Sequence, residues 1–409
     1  MPGVNRGACN YGTCSCSRPG SEPSWIETGG RMERIKVFYI INSLTLGGAE
    51  RQMAELVRRL PRERFQPVLC SLGGENAYAH LLPGDQPRYV VRGGGRLEVL
   101  RRVGRWLAAE RPHVIHSFME WSNLVARMLA HRAGRPLVVT SVRSRVMRPD
   151  YALVEGLLSR RSDAVVVNSV GTRQELLRIQ RVPARKVVVI GNIIDFDRFT
   201  PPSGRERQEA RRQLGLDGTT FVLPGRISVS KHQLGLVLAA ARLKRRGRLP
   251  DDVRFLLAGR VYNPSVQRTL QGLLRWHGLQ GHFILAGVVS GARQLYAAAD
   301  WVVLPSLYEG LPNAAIEAHA CCRPLLVSRA ANLDGIVAPG ETGLEFPTGR
   351  VGPLAEALQR ALQTSPQQAV RMGEAGRRRV LDRFDPQAAL QQVVDLYERL
   401  LAGPREPGR

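Results

Sequence analysis

The sequence has no long apolar run. The apolar runs IKVFYII at 35–41 and AAADWVVLP at 297–305 are strand-sized. A membrane-crossing helix needs about 18 uninterrupted apolar residues. The opening residues also lack the apolar core of a secretory signal. The expected location is therefore cytoplasmic, either soluble or peripheral on the inner face of the membrane. Cysteine is scarce: Cys9, Cys14 and Cys16 sit in a Gly/Ser/Pro-rich opening, and Cys70, Cys321 and Cys322 lie in apolar segments. No pair has zinc-type CxxC spacing, and an intracellular protein keeps such thiols reduced. Large apolar residues are few in 1–31, so that stretch is expected to be a disordered leader or to precede the natural translation start.

Arginine and length are what the chain has in abundance. It has 409 residues and a formal charge of +24, and only Lys36, Lys186, Lys231 and Lys244 among its 59 basic residues are lysine. That length suits two domains of about 150–200 residues, each with a core that needs no disulfide or metal staple. The charge fits a solvated basic surface and a G- and C-rich genome. It fits equally an attraction to anionic lipid or a phosphorylated substrate. No RNP-like motif, zinc finger or basic–aromatic repeat is present, so nucleic acid is not an expected partner.

From Ile35 onward strands and helices alternate. After IKVFYII and the pair Gly47-Gly48, the residues Met53, Leu56, Val57 and Leu60 form one apolar helical stripe. FQPVLCSL, RYVV, HVIHSF, LVVTSV, AVVVNS and KVVVIGN follow as short strands, with helices expected at 97–109, 122–133 and 171–179. The pattern pauses after Thr200-Pro201-Pro202 in the stretch SGRERQEARRQL, which reads as a polar linker. It restarts with TTFVLPGR, VRFLLAG, HFILAG, DWVVLPS and PLLVS, separated by helices. The expected fold is α/β, two doubly wound Rossmann-like domains facing across a cleft. The expected boundaries are 32–199 for the first domain and 200–385 for the second. A last helix at 386–402 is expected to pack back on the first domain, ahead of a tail at 403–409.

The segment PSLYEGLPNAAIEAHACCRP at 305–324 is the richest in chemistry. Glu309 falls on a loop and Glu317 in the helix that follows, where Asn313 is placed to cap. The backbone N–H groups from Gly310 to Ala314 can point at an anion there, and a carboxylate can take two sugar hydroxyls side by side. Two surface glutamates would show the same spacing. Arg226 and Lys231 flank a strand-to-helix loop in a way that suits a diphosphate, as they would an exposed basic loop. Gly47-Gly48 permits close backbone approach to a phosphate or sugar. His116 ends a strand, where a site residue or a packed core histidine fits equally. Asp195-Phe196-Asp197 has the DxD pattern of metal-using sites, but Asp195 reads better as a cap or loop brace, so no metal is expected. Two arginine-rich stretches, Arg51–Arg64 and Arg96–Arg111, read as core-facing helices with solvated faces or as surfaces for anionic lipid.

SLTLGGAERQMAELVRRL, GNIIDFDRF, GRISVSKHQ, the stretch from LAGVVSG to AAIEAHA, and GETGL together resemble glycosyltransferase family 4, over essentially all of 33–400. The resemblance implies the GT-B fold and retaining transfer of a sugar from a nucleotide-diphosphate donor, a UDP-sugar favoured. The implied acceptor is a glycan or a lipid-linked glycan in polysaccharide or cell-envelope biosynthesis, and no cofactor is implied. Arg226 and Lys231 would hold the donor diphosphate and Glu317 the ribose. Glu309 would lie at the donor sugar, cradled by Gly310, Leu311, Pro312 and Asn313. Gly287 and Val288 would lie near the base, Gly47 and Gly48 would close from the other domain, and His116 would serve the sugar or transition state. Phe118 and Trp121 stand where a second family histidine is common. Cys322 replaces a usual glycine, and Ala330-Ala331 a glycine pair. These departures leave a catalytically silent nucleotide-sugar binding subunit as the alternative.

Overall fold

The computed structural model describes residues 33–45, 47–74, 77–143, 155–289 and 291–403. The expected leader at 1–31 and nearly all of the tail lie outside them, as do Cys9, Cys14 and Cys16. The first domain runs β1 (Ile35–Ile41), α1 (Gly48–Arg59), β2 (Phe65–Ser71), β3 (Arg88–Val90), α2 (Arg96–Glu110) and β4 (Val114–Phe118). It continues with α3 (Glu120–Leu129), β5 (Leu137–Val142), β6 (Ala164–Val167), α4 (Val170–Arg178) and β7 (Val187–Val189). Its strands form one parallel sheet in the order β3-β2-β1-β4-β5-β6-β7. Val37 to Ile41 are all fully buried, as a strand covered on both faces requires.

The second domain begins with α5 (Gly204–Gln213) and β8 (Thr220–Pro224), then α6 (Gln233–Arg245), β9 (Arg254–Ala258), α7 (Pro264–Trp276) and β10 (Phe283–Gly287). Next come α8 (Ala292–Ala298), β11 (Trp301–Leu304), α9 (Asn313–Ala320), β12 (Leu325–Ser328) and β13 (Gly343–Phe346). The order β10-β9-β8-β11-β12-β13 repeats the first sheet's winding, again with parallel pairs. Both sheets reverse strand order beside their first strand, at β1/β4 and at β8/β11. Crevices open beyond the carboxyl ends of strands at such points.

Helices α10 (Val351–Gln363) and α11 (Pro366–Arg383) complete the second domain, and α12 (Pro386–Ala402) leaves it. Leu390, Val393, Val394 and Tyr397 of α12 are buried with Tyr39, Val57 and Phe65 of the first domain.

The stretch read as a polar linker is helical instead. Ser203 and Glu206 form a reciprocal capping box at the start of α5. Arg207 and Arg211 then bind the Asp300 carboxylate at 2.6 and 3.3 Å. Ala210 is the single buried residue of this helix, so ion pairs hold it where an apolar stripe would normally announce it.

Candidate active site

Helix α1 starts against the second domain. Gly47, its N-cap, is extended, and a Cβ there would collide with the Glu50 carboxylate, which folds back over it. A Cβ on Gly48 would lie 3.4 Å from Asn313 Nδ2. The paired glycines thus bring the first turn of α1 up to the start of α9. Burial pushes the Glu50 carboxyl above its ordinary range, and Arg226 and Arg260 of the facing domain partly counter this.

Gly225, at the end of β8, has φ of +143°, and a Cβ there would press within 3.2 Å of Lys231 Cε. This lets the lysine stem lie along the backbone. Arg226 is exposed, with its guanidinium 4.8 Å above the Tyr262 ring. Lys231 Nζ reaches Glu309 Oε1 at 2.5 Å, and the Ser306 hydroxyl donates to the same oxygen at 2.7 Å. Two residues read separately, as phosphate cation and sugar carboxylate, are therefore one ion pair, with little of either side chain exposed.

Glu317 is buried on α9. Arg51 Nη1 of the first domain lies 2.6 Å from its Oε1, and the Tyr296 hydroxyl donates to its Oε2 at 2.8 Å. Burial draws the Arg51 guanidinium down, but Glu317, Glu55, Tyr78 and Tyr296 outweigh that, and its affinity for the proton rises. The loop before α9 also presses on the first domain. A Cβ on Gly310 would strike the Arg143 carbonyl, and Asn192 Nδ2 donates to the carbonyl of Leu311 at 3.2 Å.

Asn313 does not cap α9. Pro312 occupies the N-cap, and the Asn313 side-chain oxygen accepts from Asn192 across the domain boundary. No side chain caps the helix, so its first N–H groups keep their capacity for an anion.

His116 sits apart from this group. It is fully buried, with Nδ1 2.5 Å from the Tyr397 hydroxyl and Nε2 2.8 Å from the Ser141 hydroxyl. Burial, aided by Arg143, drives its pKa well below the usual value. A neutral ring with both nitrogens bonded inside the core is a brace between β4, β5 and α12. It does not present a catalytic group to the cleft. Gly287 and Val288 lie at the end of β10, separated from Arg226 by β9 and exposed. Gly287 has φ of +63° and accepts the Gly259 N–H at 2.6 Å.

Asp195 accepts the Arg198 N–H and pairs with Arg58 and Arg59 at 3.6 and 3.7 Å. Among the described residues no group of three or more His, Cys, Asp or Glu side chains is arranged to hold a metal ion. Arg51 pairs with Glu317, and Arg58 and Arg59 share the Glu55 carboxylate. On α2, Leu100, Trp106 and Leu107 pack in the core, while Leu97 is 78% exposed beside the exposed Arg101 and Arg105. No helix of the described residues is long and apolar enough to cross a membrane.

Sequence reasoning missed Arg51, Tyr296, Asn192 and Tyr262. Arg51 directly follows the GGAE motif, and that adjacency was the available signal.

The family profile described as Glycosyltransferase Family 4 matches residues 46–198, and that described as Glycosyl transferases group 1 matches 205–379. D-inositol 3-phosphate glycosyltransferase of Jonesia denitrificans is 30% identical over 78% of this chain and 77% of its own. Alpha-D-kanosaminyltransferase of Streptomyces kanamyceticus is 27% identical over 75% of this chain and 82% of its own. Among solved structures, Anabaena HepE in complex with UDP and glucose superposes with a TM-score of 0.80 at 20% identity. That match covers 90% of this chain and all of HepE. Two profiles in tandem, a relative at this identity and the paired sheets agree: the chain is a glycosyltransferase of family 4, group 1 type, with the GT-B fold.

Proposed function

We propose that the enzyme transfers a sugar from a nucleotide-diphosphate donor, with a UDP-sugar favoured, to a glycan or lipid-linked acceptor in polysaccharide or cell-envelope biosynthesis. The observation that carries this reading is the meeting of two cations, two carboxylates and an uncapped helix N-terminus at the facing strand ends. Arg226 and Lys231 suit the diphosphate, the start of α9 adds N–H donors, and Glu317 suits the ribose. HepE, of the same fold, was solved with UDP-glucose, which supports the choice of donor class.

Charge developing on the leaving diphosphate would be met by Arg226, Lys231 and the α9 N-terminus. Such preorganised donors do the work that a metal does elsewhere, so no divalent ion is required in this scheme. The acceptor attacks from the face the diphosphate leaves, and a departing phosphate oxygen takes its proton. Configuration is retained, and Glu309 acts by position and charge. Leu97 and the neighbouring arginines of α2 give a peripheral contact with anionic lipid, where a lipid-linked acceptor would be met. The test is a screen of nucleotide sugars over purified enzyme, scoring thermal shift and release of nucleoside diphosphate. A shift with one donor class and turnover with it supports the proposal. A shift without any hydrolysis or transfer returns the silent-subunit reading.

A further inference from the structure

We propose that Arg51 is a positioning residue of the donor site that acts across the domain boundary, fixing the Glu317 carboxylate for a ribose diol. This rests on the donor-site reading above and extends it to a residue of the opposite domain.

The geometry has three parts. First, Arg51 and Glu317 are 11% and 6% exposed and 2.6 Å apart, so the pair is shielded from water. Second, the Arg51 guanidinium lies 4.9 Å over the ring of Phe199, which is fully buried at the end of the first domain. Ring and carboxylate thus hold the guanidinium from two sides. Third, Arg51 takes Glu317 Oε1 while Tyr296 takes Oε2. Each carboxylate oxygen has two lone pairs. One donor on each oxygen fixes the plane of the group and leaves one lone pair per oxygen, the number a cis-diol needs.

Tyr296 comes from the same domain as Glu317, but Arg51 does not. The counter-charge of a buried carboxylate is thus supplied only while the two domains are in contact. Asn192 of the first domain donating to Leu311 and Asn313, and Asp334 Oδ1 accepting the Val170 N–H at 2.8 Å, join the same pair of domains. Full affinity for the ribose is therefore a property of the closed arrangement. A salt bridge with no part in binding would join the domains equally well, so the test must read ribose recognition itself.

The experiment measures, by calorimetry, the binding of UDP, ADP and GDP and of their 2′-deoxy forms to the full chain. It compares wild type, Glu317→Ala, Arg51→Met and Arg51→Lys. The expected wild-type preference for the 2′-hydroxyl is about tenfold or more, the size of one hydrogen bond to a charged group. Glu317→Ala and Arg51→Met should both lose that preference, and Arg51→Lys should keep part of it. An unaltered preference in soluble Arg51→Met overturns the proposal while leaving Glu317 as the ribose residue. If Arg51→Met does not fold, an unaltered preference in Arg51→Lys overturns it, because a lysine cannot reproduce the planar hold. A preference that survives Glu317→Ala overturns the ribose assignment itself, and the role of Arg51 with it. A wild type that binds none of the nucleotides overturns both as well.

Discussion

Lys231 and Glu309 stand 78 positions apart in sequence and share one ion pair, Nζ to Oε1 at 2.5 Å, on the loops that follow neighbouring strands β8 and β11. Substituting either side chain changes the electrostatic setting of the other. Lys231→Ala and Glu309→Gln should each lower kcat by about 10- to 100-fold, and the double variant should fall by much less than the product of the two. Steady-state kinetics on the donor found by screening gives both numbers. Multiplicative losses would mean that the pair does not act as a unit.

Stability should fall on the acid side of neutrality. Burial pulls His319 down to about 4, and the pKa of His116 is also well below the ordinary value of about 6.5. Between about 4 and 6.5 these two histidines therefore hold more protons in the unfolded chain than in the folded one. The contribution of these neutral histidines is complete above that window and is lost as pH falls through it. Urea midpoints across pH 4–7 measure the slope, and His319→Asn should flatten it.

Cys322→Gly should stabilise the protein. Cys322 has φ of +54°, a left-handed conformation that costs a side-chain-bearing residue about 1 kcal/mol. Glycine adopts it freely, at some cost in unfolded-state entropy. A denaturation midpoint equal to or below that of wild type would show that packing of the cysteine side chain offsets the backbone strain.

Transfer should retain the donor's anomeric configuration and proceed in chelator. NMR of the product reports the linkage, and parallel assays with EDTA report the metal requirement. An inverted anomer would remove front-face attack from consideration. Loss of activity in EDTA with rescue by a divalent ion would bring Asp195 and Asp197 back as ligands.

Binding to anionic vesicles should be detectable at low salt and weaken as salt rises, since exposed charges are screened beyond about 8 Å at physiological ionic strength. Leu97→Glu together with Arg101→Glu should reduce it. Co-sedimentation that is unchanged in this variant would place any lipid contact elsewhere than α2.

Local sequence carried the architecture because buried parallel strands are short continuous apolar runs, and AVVV at 164–167 and LLVS at 325–328 have that length and composition. Helix α5 escaped notice because its partners, Asp300 and Arg293, lie about 90 residues downstream. The site was legible only as segments. Glu317 shows itself by spacing, but its counter-charge Arg51 is 266 positions away. His116 lies mid-strand in β4, and whether such a histidine faces solvent or core depends on what covers it. For His116 that cover is Tyr397, 281 positions later.

That last contact bears on how the protein is made. The core around Tyr39 and Phe65 is closed by α12, the last helix of the described residues. Domains emerging from the ribosome usually fold in order, the earlier one first. Here the earlier domain keeps an apolar face and an unpaired His116 nitrogen until the other has been translated. A segment made after the second domain thus finishes the fold of the first, so a chain that stops short of Tyr397 leaves that first domain uncovered.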